Sequence, residues 1–571
     1  MFGRISELKR ISTLVACFGL LLGGCAGRAG FAGSVLPVGA FAALRSEGPL
    51  VLCGDTNRDG QIDEADLSGR HAWNWSQGGA FVIANLDDDD RDGRPDAADL
   101  QVNGRGDEND LARVALRCLP PPGKQGLRVT VSLADVPVDG PSIRLFAREA
   151  NGWRPLDPRE SLPAGNFELG LESTRFAARN WNGEATLRAE LQSETGQVLA
   201  SDRVRLRVAP FLLLPNTART QALYVSTGHP RYENAAFREG LAKVCGATNV
   251  RLVTHTTSSW KEMWMQDTME VGYTQLPGQA PQHVVLGGLR GADSFGPSLL
   301  GPDTGYLQVG SYRGIRDGID DWADWMGNLE VSPPVPGYPF GRVFYGKNTD
   351  TGTTLHPEVV AFLEAQQLQA PFWLDTGFLT IKHVDEIANF LPGPDGRPRL
   401  LLADTRRAEQ LLPGESWPSN ASNQSRLDKV LRGGSYPDGT RARGLLTELN
   451  LSEDQVVRLP VSYEGGHNVW SNPVNSIYLN GVAVTGAHRV PERIAEDIAA
   501  SLKQAGARSV QFVDDHRYQD NYGNVHCATN THRAPLVKDF ATWLPRWQAN
   551  RGLAGGPVPP GTAQPRQRPE Q

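Results

Sequence analysis

Hydrophobic periodicity changes once along this chain of 571 residues, and no other feature constrains its fold as tightly. From about 126 to 210, apolar and polar residues alternate in short runs separated by turns, most clearly at 127–131, 142–146, 185–189 and 204–208. A period of two turns one side of a strand toward a core and the other toward water. These runs therefore predict a β-sandwich of immunoglobulin-like type. Beyond Pro215 the pattern mixes. Segments 357–367 and 492–504 have helical spacing, whereas 284–286, 400–403, 477–479 and 510–513 read as strands. A multidomain chain is expected, with the sandwich first and an α/β domain after it.

Two acidic loops precede the alternating runs. Asp55, Asn57, Asp59, Asp63 and Asp66 occupy positions 1, 3, 5, 9 and 12 around Gly60, and Asp88, Asp90, Asp92, Asp96 and Asp99 repeat that spacing around Gly93. A hard cation needs several oxygens around one point, and this spacing folds a short loop onto it. Strand-like runs at 50–52 and 80–84 precede the loops, so they read as calcium loops on a β-domain and not as EF-hands.

Arg4, Lys9 and Arg10 lead a short apolar run that ends Leu22-Gly23-Gly24-Cys25. This reads as a signal peptide over 1–25 with a bacterial lipobox, Cys25 becoming the lipidated first residue. The expected organisation is then a linker over 26–47, a calcium-binding sandwich over 48–211, a catalytic domain over 213–548 and a Gly- and Pro-rich tail over 549–571. The expected location is the cell envelope, in the outer membrane or secreted. Export makes a bridge between Cys53 and Cys118 plausible. A net charge of -7 with no basic cluster speaks against a nucleic-acid partner.

The chemistry-bearing residues lie in three separated segments: Trp264-Met265-Gln266-Asp267, His383-Val384-Asp385-Glu386 and His526-Cys527. Hydrolysing a guanidinium requires carboxylates that grip its N–H groups in plane, a soft nucleophile, and an acid that protonates departing ammonia and then activates water. Asp267, Asp385, Cys527 and His383 are candidates for these tasks.

These segments, with Gly301-Pro302-Asp303-Thr304-Gly305-Tyr306 and the run from Gly327 to Val335, resemble the calcium-dependent, vertebrate-like branch of the protein-arginine deiminase family. The resemblance covers about 213–548 and extends into 73–75 and 85–87. It implies a fold of five ββαβ modules about a pseudo-fivefold axis, and hydrolysis of peptidyl-arginine to citrulline and ammonia. It implies Cys527 as nucleophile, His383 as acid and base, and Asp267 and Asp385 as guanidinium ligands. Trp264 would flank the arginine stem and Arg290 would bind the substrate backbone. Gln266, Glu270 and Glu330, with the carbonyls of Met326 and Leu329, would bind one Ca²⁺. Two other functions stay open on sequence: a deiminase of free arginine or another small guanidine, and a calcium-dependent surface lipoprotein whose deiminase-like domain is inactive.

Overall fold

The computed structural model describes Leu44 and residues 48–544, apart from 77, 138–139, 141, 158–159, 290–293, 312–320 and 416. The targeting segment, the linker other than Leu44, the tail and Arg290 lie outside the described residues.

All four alternating runs fall in strands. One sheet orders Leu50–Gly54, Ala112–Cys118, Phe167–Ser173, Ile143–Glu149 and Gly152–Pro155, antiparallel throughout. A second orders Ala80–Val82, Val198–Val208, Glu184–Gln192, Arg128–Ala134 and Ser161–Pro163, with only its first pair parallel. Leu52, Leu116, Leu145 and Leu169 of the first sheet share an apolar cluster with Val129, Val131, Leu187, Val204 and Leu206 of the second. The two sheets thus bury their facing sides against each other, as period-two patterning requires.

The bridge considered between Cys53 and Cys118 does not form: both thiols are free. Cys53 stands opposite Ala115, whereas Cys118 stands opposite Leu50, three positions along the same strand pair. An odd offset places the thiols on opposite faces of the sheet. Cys53 lies in an outer cluster with Leu44 and Ile62, and Cys118 lies in the main core.

Seven further sheets among the described residues lie beyond residue 211, and the five larger ones share one connectivity. In each, a middle strand pairs antiparallel with a first strand and parallel with a third. The first strands are Met269–Thr274, Leu329–Val331, Ala388–Pro392, Ile477–Leu479 and Thr529–Arg533. A parallel neighbour demands a crossover connection. Helices Pro357–Gln366, Glu492–Gln504 and Ala235–Thr248 lie in three of these crossovers. The first two match the helical spacing at 357–367 and 492–504. The last sheet joins Thr220–Thr227, from the start of this region, to Thr529–Arg533 near its end.

The sandwich packs directly on this α/β region. Phe176 and Phe211 meet Phe362 at ring-centroid distances of 6.1 and 5.6 Å. Buried Arg207 lies 4.9 Å from the centroid of the Trp75 ring and donates to the Ala365 carbonyl at 3.0 Å. Such stacked, hydrogen-bonded guanidinium groups tie the two regions together without an unpaired buried charge. Among the described residues, no helix is long and apolar enough to cross a membrane.

Candidate active site

Each candidate catalytic residue sits in the turn that leads into the first strand of one of the five sheets. Asp267 lies in the short helix Met265–Thr268, directly before Met269–Thr274. His383 and Asp385 flank and occupy the 3-10 turn Val384–Glu386 before Ala388–Pro392. Cys527 precedes Thr529–Arg533, and Asn475 precedes Ile477–Leu479. Equivalent turns of like sheets bring together residues up to 260 positions apart, 267 to 527.

Cys527 is 4% exposed and its Sγ–H donates to Asp385 Oδ2 at 3.4 Å. Asn475 holds the same residue twice: its Nδ2 donates to Sγ at 3.1 Å, and its Oδ1 accepts the Cys527 backbone N–H at 3.2 Å. His383 is fully buried, with Nδ1 3.4 Å from Asp267 Oδ1 and Nε2 2.8 Å from the Trp322 carbonyl. A carbonyl at Nε2 accepts its proton and fixes the ring orientation, leaving Nδ1 to face the carboxylate. Asp385 is 1% exposed, and its Oδ1 has no hydrogen-bond partner among the described residues. An orphaned buried carboxylate oxygen is costly, and a cationic N–H donor would relieve it.

A cavity of about 210 Å³ opens over this set. Trp264, Asp267, His383 and Cys527 line it, together with Tyr232, Trp322 and Trp325. Asp385 lies against the sulfur that lines the cavity and against His526, whose Nδ1 is 2.9 Å from Asp385 Oδ2. His526 Nε2 is 3.1 Å from Glu330 Oε1. The imidazole therefore bridges the buried Asp385 carboxylate and the partly exposed Glu330 carboxylate.

The electrostatics follow from this crowding. Burial, then Asp385, Asp267 and Glu386, push the Cys527 thiol well above its ordinary range. Burial alone would lower His526, but Glu330 and Asp385 outweigh it and favour the imidazolium. Glu270 is pushed well up by burial and by Glu330. Glu330 itself is raised by burial and Asp385, against the pull of His526, to about 7.

Gln266, Glu270 and Glu330 come together beneath the cavity, Gln266 Nε2 donating to Glu270 Oε1. Two carboxylates side by side and mostly withdrawn from water favour a proton or a cation between them, and this oxygen-only donor set fits a hard divalent ion. Met326 opens the turn Met326–Asn328, which packs on the helix carrying Gln266, and Leu329 follows it.

The acidic loops divide. In the second loop, carboxylate oxygens of Asp88, Asp90 and Asp96 lie within 4.8 Å of one another. Asp92 and Asp99 are outside that group and accept the backbone N–H of Arg94 and Gln101. In the first loop, Asp55 accepts from Gly60 N–H, Asn57 from Asp59 N–H, Asp59 from Gln61 N–H, Asp63 from Ala65 N–H and Asp66 from Thr56 N–H. That loop contributes to neither acid triad found among the described residues.

The other triad escaped sequence reading. Asp87, Asp89 and Asp110 converge within the same 4.8 Å. Burial raises Asp110 well above the usual carboxylate range, and Asp87 to about 7. Asp107 and Glu172 share Asn85 Nδ2 at 3.1 and 2.9 Å. Asp87 Oδ2 accepts the Asp303 N–H at 3.0 Å, tying the cluster to the α/β region. The run Asp87–Asp90 and the i, i+3 pair Asp107 and Asp110 were the available signals.

A buried thiol, an imidazole and two carboxylates, delivered by like turns to one cavity, define a guanidine-modifying enzyme. A family model described as Protein-arginine deiminase (PAD) matches residues 198–430. Protein-arginine deiminase type-4 of Homo sapiens is 26% identical over 556 residues, covering 86% of this chain and 82% of that protein. Type-1 of Mus musculus is 28% identical, with 86% and 81% covered. Among solved structures, the agmatine deiminase of C. jejuni aligns over 57% of this chain and 97% of its own, at 12% identity and a TM-score of 0.37. The chain is thus similar to protein-arginine deiminases over most of its length.

Proposed function

We propose that this chain hydrolyses the guanidinium of peptidyl-arginine to peptidyl-citrulline and ammonia through a covalent intermediate on Cys527. The observation that carries the reading is the convergence of Cys527, His383 and Asp267 on one cavity, with Asp385 against the sulfur. In the free protein the sulfur faces carboxylates and stays a thiol. An arriving guanidinium donates its N–H groups to Asp267 and Asp385, its positive charge offsets those carboxylates, and the thiol passes its proton to His383 and becomes the thiolate. Sγ then bonds to the guanidinium carbon. His383 gives a proton to the departing nitrogen, the C–N bond breaks and ammonia leaves. His383 next takes a proton from water, whose oxygen bonds to the same carbon; the C–S bond breaks and citrulline forms with the thiol restored. Trp264 flanks the arginine stem, and Arg290 binds the peptide backbone.

Ca²⁺ would be held by Gln266, Glu270 and Glu330 with the carbonyls of Met326 and Leu329, and by the two acid triads of the sandwich. When bound it supplies positive charge that neutralises buried carboxylates. In this reading the five like sheets form a five-bladed α/β propeller around the site, preceded by an immunoglobulin-like domain. The protein is exported and lipid-anchored through Cys25, and its substrates are arginine-containing proteins or peptides outside the cytoplasm. Citrulline release from an N- and C-blocked arginine peptide tests the function. Cys527→Ala is expected to abolish it, and retained turnover would rule the mechanism out.

A further inference from the structure

The cavity mouth carries aromatic surface that the proposed chemistry does not use. Six large apolar side chains are exposed among the described residues. Four are aliphatic; the two aromatic ones, Trp260 at 40% and Tyr522 at 48%, both line the cavity over Cys527. Trp260 meets Trp325 edge to face at 6.4 Å, and Trp325 lies 5.5 Å from Trp322, which continues the wall.

Tyr522 is held outward by its backbone. Its φ of 76° lies in the left-handed region that L side chains adopt only when their surroundings enforce it. The next residue, Gly523, has no room for a side chain: a Cβ there would stand 2.3 Å from the Trp264 ring. The turn is thus pressed onto the cavity wall, and the tyrosine ring projects to the rim, stacked on His467 at 3.9 Å. Carboxylate lies at the base of the cavity as Asp267, and exposed Arg231 is at the rim. An aromatic rim continuous with a catalytic cavity loses water contact favourably when a flat apolar group covers it.

We propose that Trp260, Trp322 and Tyr522 form a subsite for an aromatic or large apolar side chain next to the target arginine, and so determine substrate specificity. This rests on the peptidyl-arginine reading above. An acidic neighbour would surrender its hydration over the indole rings, and glycine would add no apolar contact to them.

The test is kcat/KM for citrulline formation on three blocked peptides of equal length, with the arginine flanked by phenylalanine, glycine or glutamate. The phenylalanine peptide is expected to exceed the glycine peptide about tenfold, the equivalent of one good aromatic contact, with glutamate last. Trp260→Ala should bring the phenylalanine-to-glycine ratio toward one, while Trp260→Phe retains a preference. Equal kcat/KM on all three peptides, a lead for glutamate, or an undiminished ratio in Trp260→Ala overturns the subsite while leaving the deiminase reading intact. Citrulline from none of the three overturns both.

Discussion

Replacing Asn475 separates holding the nucleophile from holding the fold. Asn475→Ala removes a donor 3.1 Å from the Cys527 sulfur and an acceptor 3.2 Å from its backbone N–H. A hydrogen bond to a charged group is worth about 1.5–3 kcal/mol, so losing the donor to a developing thiolate should lower kcat about tenfold to a hundredfold. Orphaning a buried N–H costs about 1–3 kcal/mol of stability as well. Asn475→Asp distinguishes the two effects. It keeps an acceptor for the backbone but sets another carboxylate beside a sulfur already facing Asp385, Asp267 and Glu386. Asp should therefore be nearer wild type than Ala in thermal melting, yet less active than Ala in steady-state citrulline release. An unchanged kcat in Asn475→Ala, or an Asp variant more active than the Ala variant, would refute this reasoning.

Other expectations concern charge and thiols. Glu330 and Asp87 are raised to about 7, and Asp96 and Glu172 to about 8, from ordinary values of 4.5 for Glu and 3.8 for Asp, chiefly by burial. Each binds its proton more tightly folded than unfolded. Their stabilising contribution is thus complete below about pH 4 and is lost as pH rises through 7 to 8. In excess chelator, the melting temperature should fall between pH 5 and 8. Calcium should restore it, by about 2.7 kcal/mol at a hundred times its dissociation constant. A flat pH profile in chelator would contradict the raised carboxylates, and no rise on adding calcium would show that these acids hold no cation. Denatured without reductant, Cys53, Cys118, Cys245 and Cys527 should all titrate as thiols; protection of Cys53 and Cys118 would contradict their opposite-face placement.

Much of this architecture is local and was therefore legible. Period-two runs such as 204–208 became strands because Val204 and Leu206 face a core while Arg205 faces outward. The helix Glu492–Gln504 buries Ile494, Ile498 and Leu502 at helical spacing. What sequence could not supply is register. Cys53 and Cys118 belong to adjacent strands, as their bracketing of one segment suggested, but only the pairing with Ala115 and Leu50 reveals opposite faces. Asn475 escaped for a related reason. An asparagine before a strand is commonplace, and its grip on Cys527 exists only because two turns 52 residues apart converge. Asp110 likewise reads as the end of a short polar helix until its contact with Asp87 and Asp89 is seen. Asp267, His383, Asp385 and Cys527 were accessible earlier because together they make one recognisable reaction.

The most direct test traps that reaction on the sulfur. Acid-quenching the enzyme during turnover of a blocked arginine peptide, followed by peptide mapping with mass spectrometry, should find Cys527 carrying the mass of one substrate less one ammonia. His383→Ala should alter the accumulation of this adduct, because both halves of the reaction use that imidazole. Steady citrulline release with Cys527 unmodified, or with the adduct on another residue, would contradict covalent catalysis at this site.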